Sequence, residues 1–157
     1  MGLQARRTTT HPGWAQELHT ALCDAAPQDA TALEVTATLT EEVIRWARGN
    51  GWPAMTEVPI GIQRFSRGVV RTGCIDVVVQ RSGRPVAIEL DRGNKKWSLT
   101  KLRWAAEAGH DAIWVRWGAS RTRLAVPAPV ILLPVLVRYR HPREPDLRAW
   151  YPADYDA

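Results

Sequence analysis

A hairpin pattern near the middle of the chain is the feature that most constrains the fold. Two strand patterns, residues 74–80 and 86–91, flank a Ser-Gly pair of the kind that forms a two-residue hairpin turn. With the arginines on either side of this turn facing each other, the register of the whole hairpin follows. It predicts that Asp76 lies directly opposite Glu89.

The same register gives the hairpin two chemically different faces, because side chains alternate along a strand. One predicted face carries three carboxylates, those of Asp76, Glu89 and Asp91. The other face is apolar throughout and consists of Ile75, Val77, Val79, Val86, Ile88 and Leu90. We therefore expect one face to pack on a core while the other gathers the acids.

An acidic cluster of this kind needs a compensating positive charge. Side chains directly opposed in an antiparallel pair have Cβ atoms about 4.5–5.5 Å apart, and like charges at that distance repel. Mg²⁺ is bound in proteins by one or two carboxylates together with substrate phosphates, so a divalent cation at Asp76 and Glu89 is one explanation. The alternative is a solvated strand face on which one acid pairs with Arg64 or Arg71.

The patterns around the hairpin predict an α/β protein of the α+β kind, with a mixed sheet flanked by helices. Apolar residues recur at helical spacing before and after the hairpin, and short alternating runs lie between the helices. The predicted helices are 13–24, 38–48 and 96–108, and the further strands are 55–63, 111–117 and 130–139. The strand after the third helix is expected to run parallel to an earlier strand, since a helix separates them.

Local signals predict where two of the helices begin. Thr38 and Glu41 form a capping-box pattern at the start of the second helix, and Asn94 can cap the third. We expect a single domain over residues 1–157, in which the proline-rich segment 141–157 forms an irregular C-terminal arm.

Composition indicates the cellular compartment in which the protein is expected and the kind of partner that it is expected to bind. Cys23 and Cys74 are too few for a disulfide framework, and the most apolar run, 130–137, is too short to span a bilayer. The N-terminal residues do not resemble an export signal. We expect a cytoplasmic protein without membrane contact. A net charge of +5 favours a polyanionic partner, above all nucleic acid.

The hairpin residues GCIDVVV (73–79) and VAIELD (86–91) resemble the motif of the PD-(D/E)xK nuclease superfamily, which includes restriction endonucleases and Holliday-junction resolvases. The resemblance covers residues 38–117. It implies a restriction-endonuclease-like core with the order α-β-β-β-α-β, preceded by an N-terminal helix. It also implies a metal-dependent nuclease that hydrolyses phosphodiester bonds, with DNA as the expected substrate.

Carried over to this chain, the resemblance implies that Asp76 and Glu89 are metal ligands, with the Leu90 carbonyl as a third. The implied ion is Mg²⁺ or Mn²⁺. The lysine that the family places two positions after its glutamate is Asp91 here, which leaves the catalytic role of this position open. That lysine polarises the scissile phosphate or helps to deprotonate the attacking water.

A lysine from the following helix replaces the motif lysine in some family members. Lys95 and Lys96 are candidate catalytic residues on this ground. Lys101 could replace the motif lysine in the same way or could contact nucleic acid. A helix start favours anions such as phosphate. The other interpretation is that a lysine beside Asp91 is simply its ion-pair partner.

Family members often carry a glutamate in the first core helix that points into the metal site. Glu42 is the favoured candidate, because it lies at the margin of the buried face of the second helix. Glu41 aligns instead with arginines on the exposed face. Glu57, on the first strand, is the competing choice.

Three basic residues before the acidic strand, Arg64, Arg67 and Arg71, are expected to contact phosphates beside the site. Two functions stay open: a metal-dependent nuclease, and a catalytically inactive nuclease-fold module that binds nucleic acid or a protein partner. The absence of the motif lysine supports the second. A homodimer is also open, since dimers are common where one small site must cut two strands.

Overall fold

The computed structural model of the protein describes residues 11–119 and 124–140. Over these residues the chain forms helices that cover both faces of a sheet. The helices are α1 (Gly13–Ala25), α2 (Ala32–Gly49) and α3 (Lys96–Glu107). The strands are β1 (Ala30–Thr31), β2 (Ala54–Ser66), β3 (Val69–Val79), β4 (Val86–Arg92), β5 (Asp111–Gly118), β6 (Ile131–Leu136) and β7 (Tyr139–Arg140).

The centre of the fold is a mixed sheet in the order β2-β3-β4-β5-β6. The pairs β2–β3 and β3–β4 are antiparallel, whereas β4–β5 and β5–β6 are parallel. A separate parallel pair joins β1 to β7. This architecture confirms the predicted α+β class, the order of the elements and the parallel placement of β5. The predicted arm, residues 141–157, lies outside the described residues.

Two apolar cores lie on opposite faces of the sheet. On one face α1 and α2 pack through residues such as Leu18 and Val43 onto a surface that includes Val77 and Ile88. On the other face α3 packs through residues such as Leu102 against Trp114 and its neighbours. Among the described residues, no helix is both long enough and apolar enough to cross a bilayer.

The register of the β3–β4 hairpin is the predicted one. Val77 pairs with Ile88, and Val79 with Val86, as the predicted register requires, and residues 80–85 connect the two strands. The recorded pairs end at Val77 and Ile88, so Asp76 and Glu89 are the first residues beyond the paired segment. Strands β3 and β4 therefore separate at these two acidic residues.

The regular alternation of side chains breaks in β2 and β3 at the level of Glu57 and Asp76. Val77 packs in the core under α1 and α2, whereas Ile75 packs in the core under α3. The prediction that Ile75 shares a face with Val77 is therefore wrong. The physical reason lies in β2, where Glu57 has a φ of 51°, in the left-handed region that strands exclude. Its neighbour Val58 pairs with Ile75, so the strands change face together.

The predicted start of α2 and the predicted N-cap residue of α3 are also corrected. α2 begins at Ala32 rather than at Thr38, and its capping box is made by Thr31 and Glu34. The Glu34 N–H donates to Thr31 Oγ1 at 3.3 Å, and the Thr31 N–H donates to Glu34 Oε2 at 2.7 Å. α3 has the predicted extent, but its N-cap residue is Lys95 rather than Asn94, and the Lys95 side chain makes no capping hydrogen bond.

The capping box gives a test of the α2 start. T31A removes the side chain that accepts the Glu34 N–H and should lower the free energy of unfolding by about 1 kcal/mol. T38A is the matched control, since it lies within the helix, and its change should stay within about 0.5 kcal/mol. Urea denaturation midpoints measure both. A larger loss in T38A than in T31A would contradict the observed helix start.

Candidate active site

The site is built where β3 and β4 separate. The Asp76 N–H donates to Glu89 Oε1 at 3.2 Å, and the Leu90 N–H donates to Asp76 Oδ2 at 2.8 Å. Each carboxylate thus takes the place of a backbone acceptor on the opposite strand. Because buried N–H groups require an acceptor, these bonds hold both acids at the sheet rather than in solvent.

Lys101 of α3 provides the positive charge beside these acids. Its Nζ lies 2.7 Å from Glu89 Oε2 and 2.6 Å from the Cys74 carbonyl oxygen. The residue is only 7% exposed, so both bonds lie in the protein interior. The residue expected to contact nucleic acid is therefore also the ion-pair partner of Glu89.

Asp91, where the family resemblance implies a lysine, is buried and lines the cavity. Its Oδ1 lies 3.0 Å from Lys95 Nζ, and its Oδ2 accepts a hydrogen bond from Trp114 Nε1 at 2.9 Å. A lysine near Asp91 could act in catalysis or could pair with this acid, and Lys95 forms the ion pair. Lys96 is exposed and lines the same cavity as the acids.

Both central carboxylates have raised pKa values. Burial is the largest cause of the raised pKa of Asp76, and the Leu90 N–H and Lys101 oppose it. For Glu89, burial and then the charge of Asp76 raise the pKa from 4.5 to about 7, against the effect of Lys101. The desolvated pair therefore favours either protons or an additional cation.

Glu57 lies at this site and Glu42 does not. Glu57 lines the cavity, and its charge raises the pKa of Asp76. Glu42 is buried on α2, forms an ion pair with Arg45 and is not among the cavity-lining residues. Glu42, the favoured candidate, therefore does not lie at the site. Glu57, the competing candidate, lies near the carboxylates.

The acids form part of the wall of an open cavity of about 880 Å³. α2 contributes Thr36 and Thr40, and the Arg64 guanidinium from β2 stacks on the Trp97 ring at 5.2 Å from its centroid. Among the described residues, the charged side chains that line the cavity are Glu57, Arg64, Asp76, Glu89, Asp91, Arg92, Lys95, Lys96 and Lys101. Arg67 and Arg71 do not line this cavity. They are exposed at the far end of the β2–β3 hairpin.

The donor set limits which cation could bind. Among the described residues no group of three or more His, Cys, Asp or Glu side chains is arranged to hold a metal. The available donors are the carboxylates of Asp76 and Glu89 and the Leu90 carbonyl, which points to the same side of the strand as the Leu90 N–H. Such a set fits Mg²⁺, whose remaining positions are taken by water and phosphate oxygens, and does not fit zinc.

Comparison with known proteins assigns no family. No protein-family model matches the chain, and no curated protein is similar to it at a significant level. Among solved structures, the protein of unknown function AF1548 is similar, with a TM-score of 0.35 and 17% identity. The match covers 59% of this chain and 54% of AF1548, so it spans about half of that protein.

The raised pKa of Glu89 predicts a pH-dependent stability in EDTA. The folded state binds this proton more tightly than the unfolded chain, so the stability it contributes is lost as the pH rises from 4.5 towards 7. The difference in unfolding free energy between wild type and E89Q should fall by roughly 2–3 kcal/mol between pH 5 and pH 8.

Urea unfolding at both pH values measures this difference. E41Q, which changes an exposed glutamate on α2 that does not line the cavity, serves as the matched control. If the unfolding free energies of E89Q and wild type changed by the same amount between the two pH values, the raised pKa of Glu89 would be contradicted.

Proposed function

We propose that the protein is a metal-dependent nuclease of the PD-(D/E)xK kind that hydrolyses phosphodiester bonds in DNA. One observation carries the proposal: Asp76, Glu89 and Lys101 meet at a cavity, although the lysine comes from α3 rather than from the motif position. The order α2-β2-β3-β4-α3-β5 around them agrees with the expected core.

In this proposal Asp76, Glu89 and the Leu90 carbonyl hold Mg²⁺ or Mn²⁺. Such an ion, when bound, supplies Lewis-acid stabilisation of the phosphate and a more acidic water. The two backbone N–H groups that bind the carboxylates keep them in place and leave them little freedom to reorient. Glu57 adds negative charge that attracts the cation.

Lys101 takes the role of the motif lysine. An ammonium group has three donors, and two of them are directed at Glu89 and the Cys74 carbonyl. The third can bind a non-bridging oxygen of the scissile phosphate. Because the site is desolvated, this charge stabilises the transition state more strongly than an exposed lysine would.

Lys96 extends this positive surface towards the rim of the cavity. It is the first residue of α3, where backbone N–H groups and the helix dipole favour a phosphate. The net charge of +5 agrees with a polyanionic substrate. A homodimer would bring a second copy of the site to the opposite strand, and the expected compartment is the cytoplasm.

Cleavage assays test the function. D76N, E89Q and K101M should each lower the cleavage of a duplex DNA panel by at least about 100-fold in Mg²⁺ or Mn²⁺, and EDTA should abolish cleavage by the wild type. E42Q is the matched control and should cleave like wild type, since Glu42 pairs with Arg45 away from the cavity. Thermal melting confirms that each variant is folded.

The alternative is the catalytically inactive nucleic-acid-binding module, which the burial of Asp91 at the motif-lysine position supports. Binding of DNA without cleavage in either metal ion, at an affinity that EDTA leaves unchanged, would establish that alternative and reject the nuclease.

Glu57 gives a separate prediction. E57Q removes a negative charge from the cavity and should raise the Mg²⁺ concentration needed for half-maximal cleavage by roughly 3- to 10-fold. E42Q removes a charge outside the cavity and should leave this concentration unchanged. Metal titrations of the cleavage rate compare them, and equal shifts in the two variants would contradict the placement of Glu57 at the metal.

A further inference from the structure

The β2–β3 hairpin continues beyond the rest of the sheet. β2 and β3 remain paired out to Ser66 and Val69, whereas the recorded pairs of β4 with β3 end at Val77. Residues 62–73 therefore form a two-stranded projection, which we call the ribbon. At about 3.3 Å per residue, its tip lies roughly 23 Å along β3 from Asp76.

The ribbon carries a concentrated positive charge. It contains Arg64, Arg67 and Arg71, and no acidic residue occurs between positions 58 and 75. Arg64 and Arg71 are direct cross-strand partners, an arrangement that disfavours the ribbon itself because like charges repel. Among the described residues no carboxylate forms an ion pair with any of the three. A polyanion on this surface would relieve the repulsion.

The same ribbon exposes apolar side chains. Phe65 is 73% exposed and its cross-strand partner Val70 is 57% exposed. By strand alternation these two lie on the face opposite Arg64 and Arg71. An exposed apolar pair at the end of a charged projection indicates a surface that becomes buried in a complex.

Arg64 links the ribbon to the cavity. Its guanidinium stacks on Trp97 of α3 and lines the cavity that holds Asp76 and Glu89. A phosphate backbone bound along the arginine face would therefore lead towards the carboxylates. The roughly 23 Å between tip and acids is shorter than one turn of a DNA duplex, about 34 Å, so a single duplex can contact both.

We infer that the ribbon enters a groove of double-stranded DNA and holds the duplex against the cavity. The major groove, about 12 Å wide, admits a two-stranded ribbon. Arg64 and Arg71 contact phosphates of the strand that leads to the acids, and Phe65 and Val70 pack against base edges. That the bound strand is then cleaved rests on the proposed function. The substrate class is duplex DNA.

Binding measurements test the ribbon separately from catalysis. Fluorescence anisotropy in EDTA, with a 20-base-pair duplex and one of its single strands at several salt concentrations, reports affinity without cleavage. R64Q/R71Q should weaken duplex binding at least about 10-fold and reduce the slope of log affinity against log salt by about 2. R48Q/R103Q is the matched control, with the same charge change at exposed helical positions, and should weaken binding less than about 3-fold.

F65S tests the apolar face. It should lower the preference for duplex over single strand several-fold and leave the salt slope unchanged, because it removes no charge. Equal effects of R64Q/R71Q and R48Q/R103Q, or an F65S preference equal to that of wild type, would overturn the inference. So would sedimentation data in which F65S converts a dimer into a monomer, since the ribbon would then join two copies of the chain.

The outcomes separate this inference from the nuclease proposal. Duplex cleavage by wild type together with undiminished duplex binding by R64Q/R71Q would reject the ribbon and keep the nuclease. Loss of duplex binding in R64Q/R71Q, with no cleavage by wild type in Mg²⁺ or Mn²⁺, would support the ribbon and reject the nuclease.

Discussion

The candidate site depends on an exchange of hydrogen bonds between two strands. The Asp76 N–H binds the Glu89 carboxylate, and the Leu90 N–H binds the Asp76 carboxylate, at the point where β3 and β4 separate. If either acid turned to solvent, a buried backbone donor would lose its acceptor. The exchange therefore keeps two carboxylates desolvated, which raises their pKa values, and Lys101 supplies part of the charge that they require.

The break in alternation at Glu57 and Asp76 connects this chemistry to the shape of the molecule. On one side of the break Val77 and Val79 pack under α1 and α2 while Val78 packs under α3. On the other side Ile75 packs under α3, and β3 continues into the ribbon. A left-handed non-glycine residue costs about 1–3 kcal/mol, and such residues cluster at functional sites. Here the left-handed residue is Glu57, which also brings a carboxylate to the cavity.

Local patterns predicted some features and missed others for identifiable reasons. The hairpin register was predictable because placing Ser82 and Gly83 at the centre of the connection leaves the flanking strands one pairing. The start of α2 was not, since Thr31 and Glu34 have the same spacing as Thr38 and Glu41, and the observed helix follows directly on β1, which pairs with the distant β7. The burial of Lys101 did have a signal: it shares a helical face with Leu102 and Ala105.

The sequence by itself determined the fold class, the β3–β4 register and the proximity of Asp76 and Glu89, because periodicity and turn geometry are properties of short segments. Only the tertiary structure decided that Lys101 contacts Glu89 while Lys95 pairs with Asp91. It also decided that Glu57 rather than Glu42 lines the cavity. These choices depend on how α3 and β2 lie against the sheet, and core packing between segments distant in sequence sets that placement.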